Sequence, residues 1–232
     1  MLPTISILCS SYNSSRYIEG YCHSLNAQLL PDFDVIYVDA ASTDDSLDKF
    51  RSFGFRDGIR IKILECDKRI PVYQAWNLAI DAANSEYCMN YNTDDRLYPA
   101  ALTTMLGYAN AMPDKDIIYS RCFITSDPDH RNIITMYDWP EYSHDILLKG
   151  CICGPFPLLK RQSIIDAGMF DPVYTLAGDY EMWLRMSKAG LKFKRIPESI
   201  GSYFRNPEGL STSKSLQAEM LRQMRDLQER YK

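Results

Sequence analysis

Short apolar runs alternate with amphipathic stretches through the first half of the chain. Thr4–Cys9 is nearly continuous in apolar residues, the pattern of a strand covered on both faces, and it ends in the polar Ser10-Ser11-Tyr12-Asn13. Tyr17, Ile18, Tyr21, Cys22 and Leu25 then recur at helical spacing, predicting a helix over Arg16–Gln28 with Ser14 or Ser15 as cap. The unit repeats as a strand at Asp34–Val38, a polar loop at Asp39–Asp44 and a helix at Asp45–Phe53 capped by Thr43 or Asp44. It repeats again as a strand at Arg60–Leu64, a charged loop holding Glu65, Asp67, Lys68 and Arg69, and a helix from Val72 to Ala83. A fourth strand, Tyr87–Tyr91, runs into Asn92-Thr93-Asp94-Asp95, and Pro99 opens a helix to Met112. A strand at Asp116–Tyr119 extends the same sheet. Strands alternating with helices predict an α/β fold, a Rossmann-like, doubly wound and mainly parallel sheet with right-handed crossovers. The carboxyl ends of such strands converge on one crevice, so Asp39, Asp67, Asp94 and Asp95 are expected to be neighbours.

After residue 120 the rhythm changes. Cys122–Thr125 and Ile133–Tyr137 are short β-like pieces broken by Asp127-Pro128-Asp129 and Trp139-Pro140-Glu141. A short helix near His144–Leu148 and a loop over Gly150–Pro157 complete what reads as a partner-facing insertion. Arg161–Ala167 is predicted as a helix ended by Gly168, and a further helix carries Asp179 in its first turn and Gly190 at its end. Lys192–Ile196 and Ile200–Phe204 read as two strands. Ser213–Tyr231 is a long polar helix with Leu216, Met220, Met224 and Leu227 on one side. That side packs either on the domain or on a second copy of the chain, which leaves a homodimer through this helix open.

Composition narrows the function classes. At 232 residues and 46% apolar content the chain builds one sizeable core, expected as a single domain over 1–212 followed by the helix at 213–232. A net charge of −4 with scattered Lys and Arg supplies no basic face for a phosphate backbone, so nucleic acid is excluded as a partner. Residues 1–9 show no basic leader, and no run of about 18 apolar residues occurs, which predicts a cytoplasmic protein without a transmembrane segment. Seven cysteines, most inside apolar segments, suit reduced and buried thiols; Cys151-x-Cys153 is a weak metal signal, and His23, His130 and His144 form no ligand spacing.

The chemistry-bearing stretch is the acidic turn after the fourth strand. Adjacent carboxylates at a strand end can hold a divalent cation and a ribose, although Asn, Thr and Asp also build an ordinary polar turn. Asp179 is a candidate general base, against a plain helix N-terminal charge. Glu181 and Arg185, four apart, form an ion pair on one helical side, and Trp183 is expected in the core rather than stacked on a sugar.

Taken together, these motifs resemble the inverting glycosyltransferases of family 2, with the GT-A fold. Ile5-Ser-Ile-Leu-Cys-Ser-Ser-Tyr-Asn13 is similar to the family's first strand and nucleotide loop, and Val38-Asp-Ala-Ala-Ser-Thr-Asp44 to its Asp-Asp/Gly-Gly-Ser-Thr-Asp segment. Asp67 through Asn77 resembles an Asp-x-Gly-Ile-Tyr-Asp-Ala-Met-Asn stretch, with one residue more. Asn92-Thr-Asp-Asp95 corresponds to the metal-binding DxD signature, and Ala177-Gly-Asp-Tyr-Glu-Met-Trp-Leu-Arg185 to the block that carries the base. The resemblance implies Asp95 as ligand to Mn²⁺ or Mg²⁺, Asp94 on the ribose or sugar, and Ser10, Tyr12, Asp39 and Asp67 around base and ribose. It further implies Arg69 near the diphosphate, Asn77 on the donor side, and Asp179 as the base. Residues 1–120 become the nucleotide-sugar half and 121–212 the smaller, mixed acceptor half. Ala40, Asn92 and Gly178 depart from the family pattern, and the His some relatives carry after the last strand is missing from Tyr203–Ser211.

The implied reaction moves a sugar from a nucleotide-diphosphate donor, a UDP-sugar being the leading candidate, to a glycan or lipid-linked saccharide. With a lipid-linked acceptor, peripheral attachment to the inner face of the membrane is a further expectation. A sugar-1-phosphate nucleotidyltransferase shares the general fold, but no Gly-rich, Arg- or Lys-bearing phosphate loop follows the first strand. A nucleotide- or glycan-binding module without turnover is the third reading, to which Ala40, Asn92 and Gly178 lend weight.

Overall fold

A computed structural model describes residues 4–232. The opening apolar run is β1 (Ile5–Ser11), followed by α1 (Ser15–Asn26), β2 (Phe33–Asp39), α2 (Ser46–Ser52), β3 (Ile59–Glu65), α3 (Val72–Ala82) and β4 (Tyr87–Asn90). These are the expected units, shifted by a residue or two at their ends. β5 (Arg96–Leu97), α4 (Ala101–Ala111), β6 (Ile117–Thr125), β7 (Ile133–Tyr137), α5 (His144–Leu147), β8 (Leu158–Lys160) and α6 (Arg161–Asp166) come next. The chain closes with α7 (Gly178–Lys188), β9 (Phe193–Phe204) and α8 (Gln217–Arg230).

One sheet runs in the order β3-β2-β1-β4-β8-β6-β9-β5, with β7 on β6. The first four strands pair parallel, as the alternation of strand and helix requires. β8 then enters antiparallel between β4 and β6, and β9 runs parallel to β6, so the second half of the sheet is mixed. Coverage on both faces follows from the pleat. Ile5, Ile7, Cys9, Val35 and Tyr37 point to the side of α1, α2 and α4, while Leu8, Ile36 and Val38 point to the side of α3, α6 and α7.

Two pairs of predicted pieces are each one strand. β6 joins 116–119 to 122–125, and β9 joins 192–196 to 200–204 across Pro197-Glu198. The register between them slips at Ser120/Arg121 and Arg121/Phe123, so a bulge rather than a break absorbs the irregular sequence. β5 and β8, two and three residues long, carry too little periodicity to be read from sequence. α8 begins at Gln217, four residues later than expected, and turns Gln223 and Leu227 into this chain's own domain against α7. All seven cysteines are free thiols; Cys66 and Cys151 are half-buried and the others buried. Among the described residues no helix is long and apolar enough to cross a membrane.

Candidate active site

The loops after β1 and β2 lock to one another. Asn13 and Ala41 both take left-handed backbone, at φ 49° and 63°. Asn13 Oδ1 accepts the Thr43 N–H at 2.8 Å, and Ser42 Oγ accepts the Asn13 N–H at 3.0 Å. The Ser15 N–H donates to Asp44 Oδ2 at 3.0 Å, and the Ser14 N–H to Ser46 Oγ at 2.7 Å. Asn13, Thr43 and Asp44 thus hold the two strand ends in fixed register. Asp44 does not cap α2 as the N-cap residue; Asp45 takes that position, and Asp44 Oδ1 accepts the Ser46 N–H from outside the helix.

These strand ends form one wall of a cavity of ≈ 1090 Å³. Ser10, Tyr12, Arg69, Asp94, Asp95 and Asp179 all line it, so six of the expected residues meet although they are scattered over 170 positions of sequence. The Arg69 guanidinium lies over the Tyr12 ring, 4.3 Å from its centroid, and the pair forms a charged, flat rim. Asp39 sits just behind: Oδ2 accepts the Ser42 N–H at 2.9 Å, and Oδ1 is buried with no partner among the described residues. Two expected donor residues lie elsewhere. Asp67 is exposed and outside the cavity wall. Asn77 spends its amide on the Phe170 backbone, donating to the carbonyl at 2.7 Å and accepting from the N–H at 3.0 Å.

The acidic turn is held from several directions. Asp95 is 1% exposed, and its Oδ1 accepts the Phe204 N–H of β9 at 3.0 Å. Burial pushes its carboxyl well above the ordinary aspartate range, and the neighbouring Asp94 charge adds to this; Asp94 is itself pushed up by burial. Arg96 is the cation beside both, and its Nη1 also donates to the Thr93 and Asp95 carbonyls at 2.8 and 2.6 Å. Gly20 of α1 admits that guanidinium, since a Cβ there would lie 2.7 Å from Arg96 Cζ. His130, in left-handed backbone at φ 58°, donates from Nε2 to the Asp94 carbonyl at 2.8 Å, which leaves Nδ1 to accept the Ser202 hydroxyl at 2.6 Å. No sequence spacing pointed to His130, which reaches the turn from the loop between β6 and β7, to Gly20, which only leaves room for a guanidinium, or to Arg96, which folds back over the turn it follows.

This turn fits a hard divalent cation. Two adjacent carboxylates lie near the single cation Arg96, and the Oδ1 atoms of Asn90 and Asn92, both on the same wall, are buried with no partner among the described residues. Oxygen donors of this kind suit Mg²⁺ or Mn²⁺, which take one or two carboxylates and complete their shell with phosphate and water. Among the described residues no group of three or more His, Cys, Asp or Glu side chains forms a self-sufficient metal cage.

Asp179 faces the cavity from the first turn of α7. Its Oδ1 accepts the Tyr180 N–H at 2.8 Å and the Tyr73 hydroxyl at 3.1 Å; its other oxygen accepts from no group among the described residues. Burial pushes the carboxyl above the ordinary range, with those two donors pulling the other way. Gly178 is explained by Tyr73, whose ring would lie 2.7 Å from a Cβ at 178; the phenol occupies the space a Glu would need. Trp183 is 1% exposed and packs edge-on against Phe170, in the core as expected, while also bordering the cavity. Glu181 and Arg185 pair at 2.8 Å.

The chain is similar to proteins already known. The chain is 28% identical over 198 residues to a chondroitin synthase of Escherichia coli, covering 84% of this chain and 28% of that protein. It spans between a fifth and just over a quarter of the length of the synthases it matches first. Staphylococcus aureus TarS 1–349 in complex with UDP-GlcNAc superposes with a TM-score of 0.77 at 17% identity, over 98% of this chain and 66% of that one. The mannosyltransferase PcManGT of Pyrobaculum calidifontis, in complex with GDP-Man and Mn²⁺, superposes with a TM-score of 0.75 at 18% identity, over 99% and 65%. These likenesses establish the GT-A fold. The model of glycosyl transferase family 2 matches residues 6–165, more than two thirds of the chain, and the protein belongs to that family.

Proposed function

We propose that the chain is a metal-dependent, inverting glycosyltransferase that moves a sugar from a nucleotide-diphosphate donor, a UDP-sugar first among candidates, to a glycan or lipid-linked saccharide. The observation that carries this reading is the placing of Asp94-Asp95 and of Asp179 on different elements of one cavity. UDP-GlcNAc in TarS and GDP-Man with Mn²⁺ in PcManGT support a donor of this class.

Ser10, Tyr12 and Arg69 line the part of the cavity next to Asp39, where they bind base, ribose and diphosphate. Asp95 would hold the Mn²⁺ or Mg²⁺, whose charge would neutralise the departing diphosphate, and Asp94 would contact the ribose or sugar. Asp179 accepts the proton of the acceptor hydroxyl through its free oxygen while that hydroxyl oxygen attacks the anomeric carbon. The carbon–phosphate-oxygen bond breaks on the opposite face, so configuration inverts and no covalent enzyme intermediate forms. Attachment to the inner face of a membrane follows where the acceptor is lipid-linked.

Calorimetric titration of UDP, GDP and dTDP tests the donor site, with Mn²⁺ and then with chelator. Metal-dependent binding of one nucleotide, lost in Asp95→Ala, is expected. Absence of binding by all three under every condition refutes the reading. Binding without turnover of any matching sugar donor leaves a nucleotide-binding module instead.

A further inference from the structure

The C-terminal helix grips the helix that carries Asp179. Gln223 of α8 is 5% exposed, and its Oε1 accepts the backbone N–H groups of Leu176 at 3.1 Å and Ala177 at 3.2 Å. Its Nε2 donates to Glu219 Oε1 at 2.9 Å and Thr175 Oγ1 at 3.3 Å. The amides at a helix start lack intrahelical acceptors, and Ala177, the N-cap of α7, offers no side-chain cap of its own. The missing acceptor therefore arrives from a residue 46 positions downstream. A second grip lies four residues along: the Tyr231 hydroxyl donates to Glu181 Oε1 at 2.7 Å, and Glu181 is 2% exposed. The two contacts bracket Asp179. Leu176, Asp179 and Glu219 all border the cavity, so the clamp is part of its wall. Arg222 and Gln223 hold the Glu219 carboxyl down to about 2, which keeps it an ionised acceptor for the Gln223 amide. The family match ends at residue 165, short of both helices.

We propose that Gln223 is a positioning residue, which by capping the entry of α7 sets the place and direction of Asp179; this rests on the reading of Asp179 as the base. Misplacing a reacting group by about 1 Å can cost about 100-fold in rate.

The test uses the full chain with Gln223→Met, which keeps the length and removes both polar ends. A second variant exchanges the pair, Gln223→Glu with Glu219→Gln, and restores an acceptor for the two amides and a donor between the side chains. Amide hydrogen exchange over 174–184, nucleotide binding with Mn²⁺, and nucleoside diphosphate release from UDP-GlcNAc and from GDP-mannose are measured for each. Gln223→Met is expected to speed exchange at 176–180 by about tenfold, to leave nucleotide affinity within about twofold, and to lower kcat by roughly 10- to 100-fold. The exchanged pair recovers most of both losses. Unchanged exchange and kcat overturn the proposal. So does a faster exchange throughout the chain with affinity and kcat falling together, or an exchanged pair no better than Gln223→Met. Where the parent chain turns over neither donor, exchange at 176–180 decides alone. If Asp179→Asn turns over like the parent, the base assignment fails while exchange still decides the clamp.

Discussion

A carboxylate serves best as a base where its charge is poorly solvated, and Asp179 meets that condition through burial. The same burial costs stability. A folded carboxyl whose proton affinity is raised contributes stability that is complete below the ordinary aspartate value and lost as pH rises through the folded value. At neutral pH the charge is therefore a burden. Asp179→Asn, which keeps an oxygen for Tyr73 and Tyr180, is expected to raise the melting temperature at pH 7, with the gain shrinking as pH falls towards 4, while kcat drops roughly 10²- to 10⁴-fold. Melting curves at the two pH values and product release check both halves. The parent's turnover should also fade on acidification at a pH above the ordinary aspartate value, because the proton-bound form cannot accept. What sequence conveyed at this scale was chemical type and strand-end position. It misplaced Asp67, which is exposed outside the wall although Arg69, two residues on in the same loop after β3, lines the cavity, because strand-end position brings a loop to the crevice without deciding which of its side chains turns inward. It misplaced Asn77 because an amide on a helix is equally suited to bonding the Phe170 backbone.

The elements show where local preference yields to the site. Gly20 lies inside α1, where Ala would be favoured by about 1 kcal/mol. It persists there against helix propensity, in the gap that Arg96 fills on its way to the Thr93 and Asp95 carbonyls. Gly20→Ala is expected to melt at or slightly above the parent temperature, yet to weaken Mn²⁺-dependent nucleotide binding by about tenfold, equivalent to about 1.4 kcal/mol. Unaltered affinity in calorimetry would show that Arg96 finds another route. The Ser-Tyr-Asn and Ser-Thr-Asp signatures have a comparable explanation: Asn13, Thr43 and Asp44 bond loop to loop, a job visible only once β1 and β2 are paired. Long elements were legible because the 2-residue and 3.6-residue periods persist over several turns or pleats. β5 and β8 were not, since two or three residues express no period and their pairing is decided by partners far away in sequence.

At the scale of the whole molecule, the parallel half delivers strand ends to the cavity wall, and the later elements return Asp179 to that wall, Phe204 to Asp95 and Gln223 to the start of α7. The helix at 213–232 is integral to that arrangement. Leu227 is fully buried and Tyr231 nearly so, both in the core cluster that holds Trp183 and Met186. Removing residues 213–232 is expected to cost several kcal/mol, on the order of 2–5 for the loss of Leu227 alone, and to abolish turnover before nucleotide binding. Thermal melting and calorimetry on the shortened chain separate the two effects. The general architecture was readable from alternation, whereas the antiparallel entry of β8 was hidden in a stretch that reads as loop.

That entry of β8 carries a consequence for how such chains diversify. The join between the two halves of the sheet is a ladder of only three residue pairs, Tyr87 with Lys160, Cys88 with Leu159 and Met89 with Leu158. A backbone ladder is indifferent to most side-chain identities, so a seam this short tolerates recombination. Exchange of the segments after β8 would reach past that seam, however, because β9 brings the Phe204 N–H to Asp95 and pairs with β5 beside it.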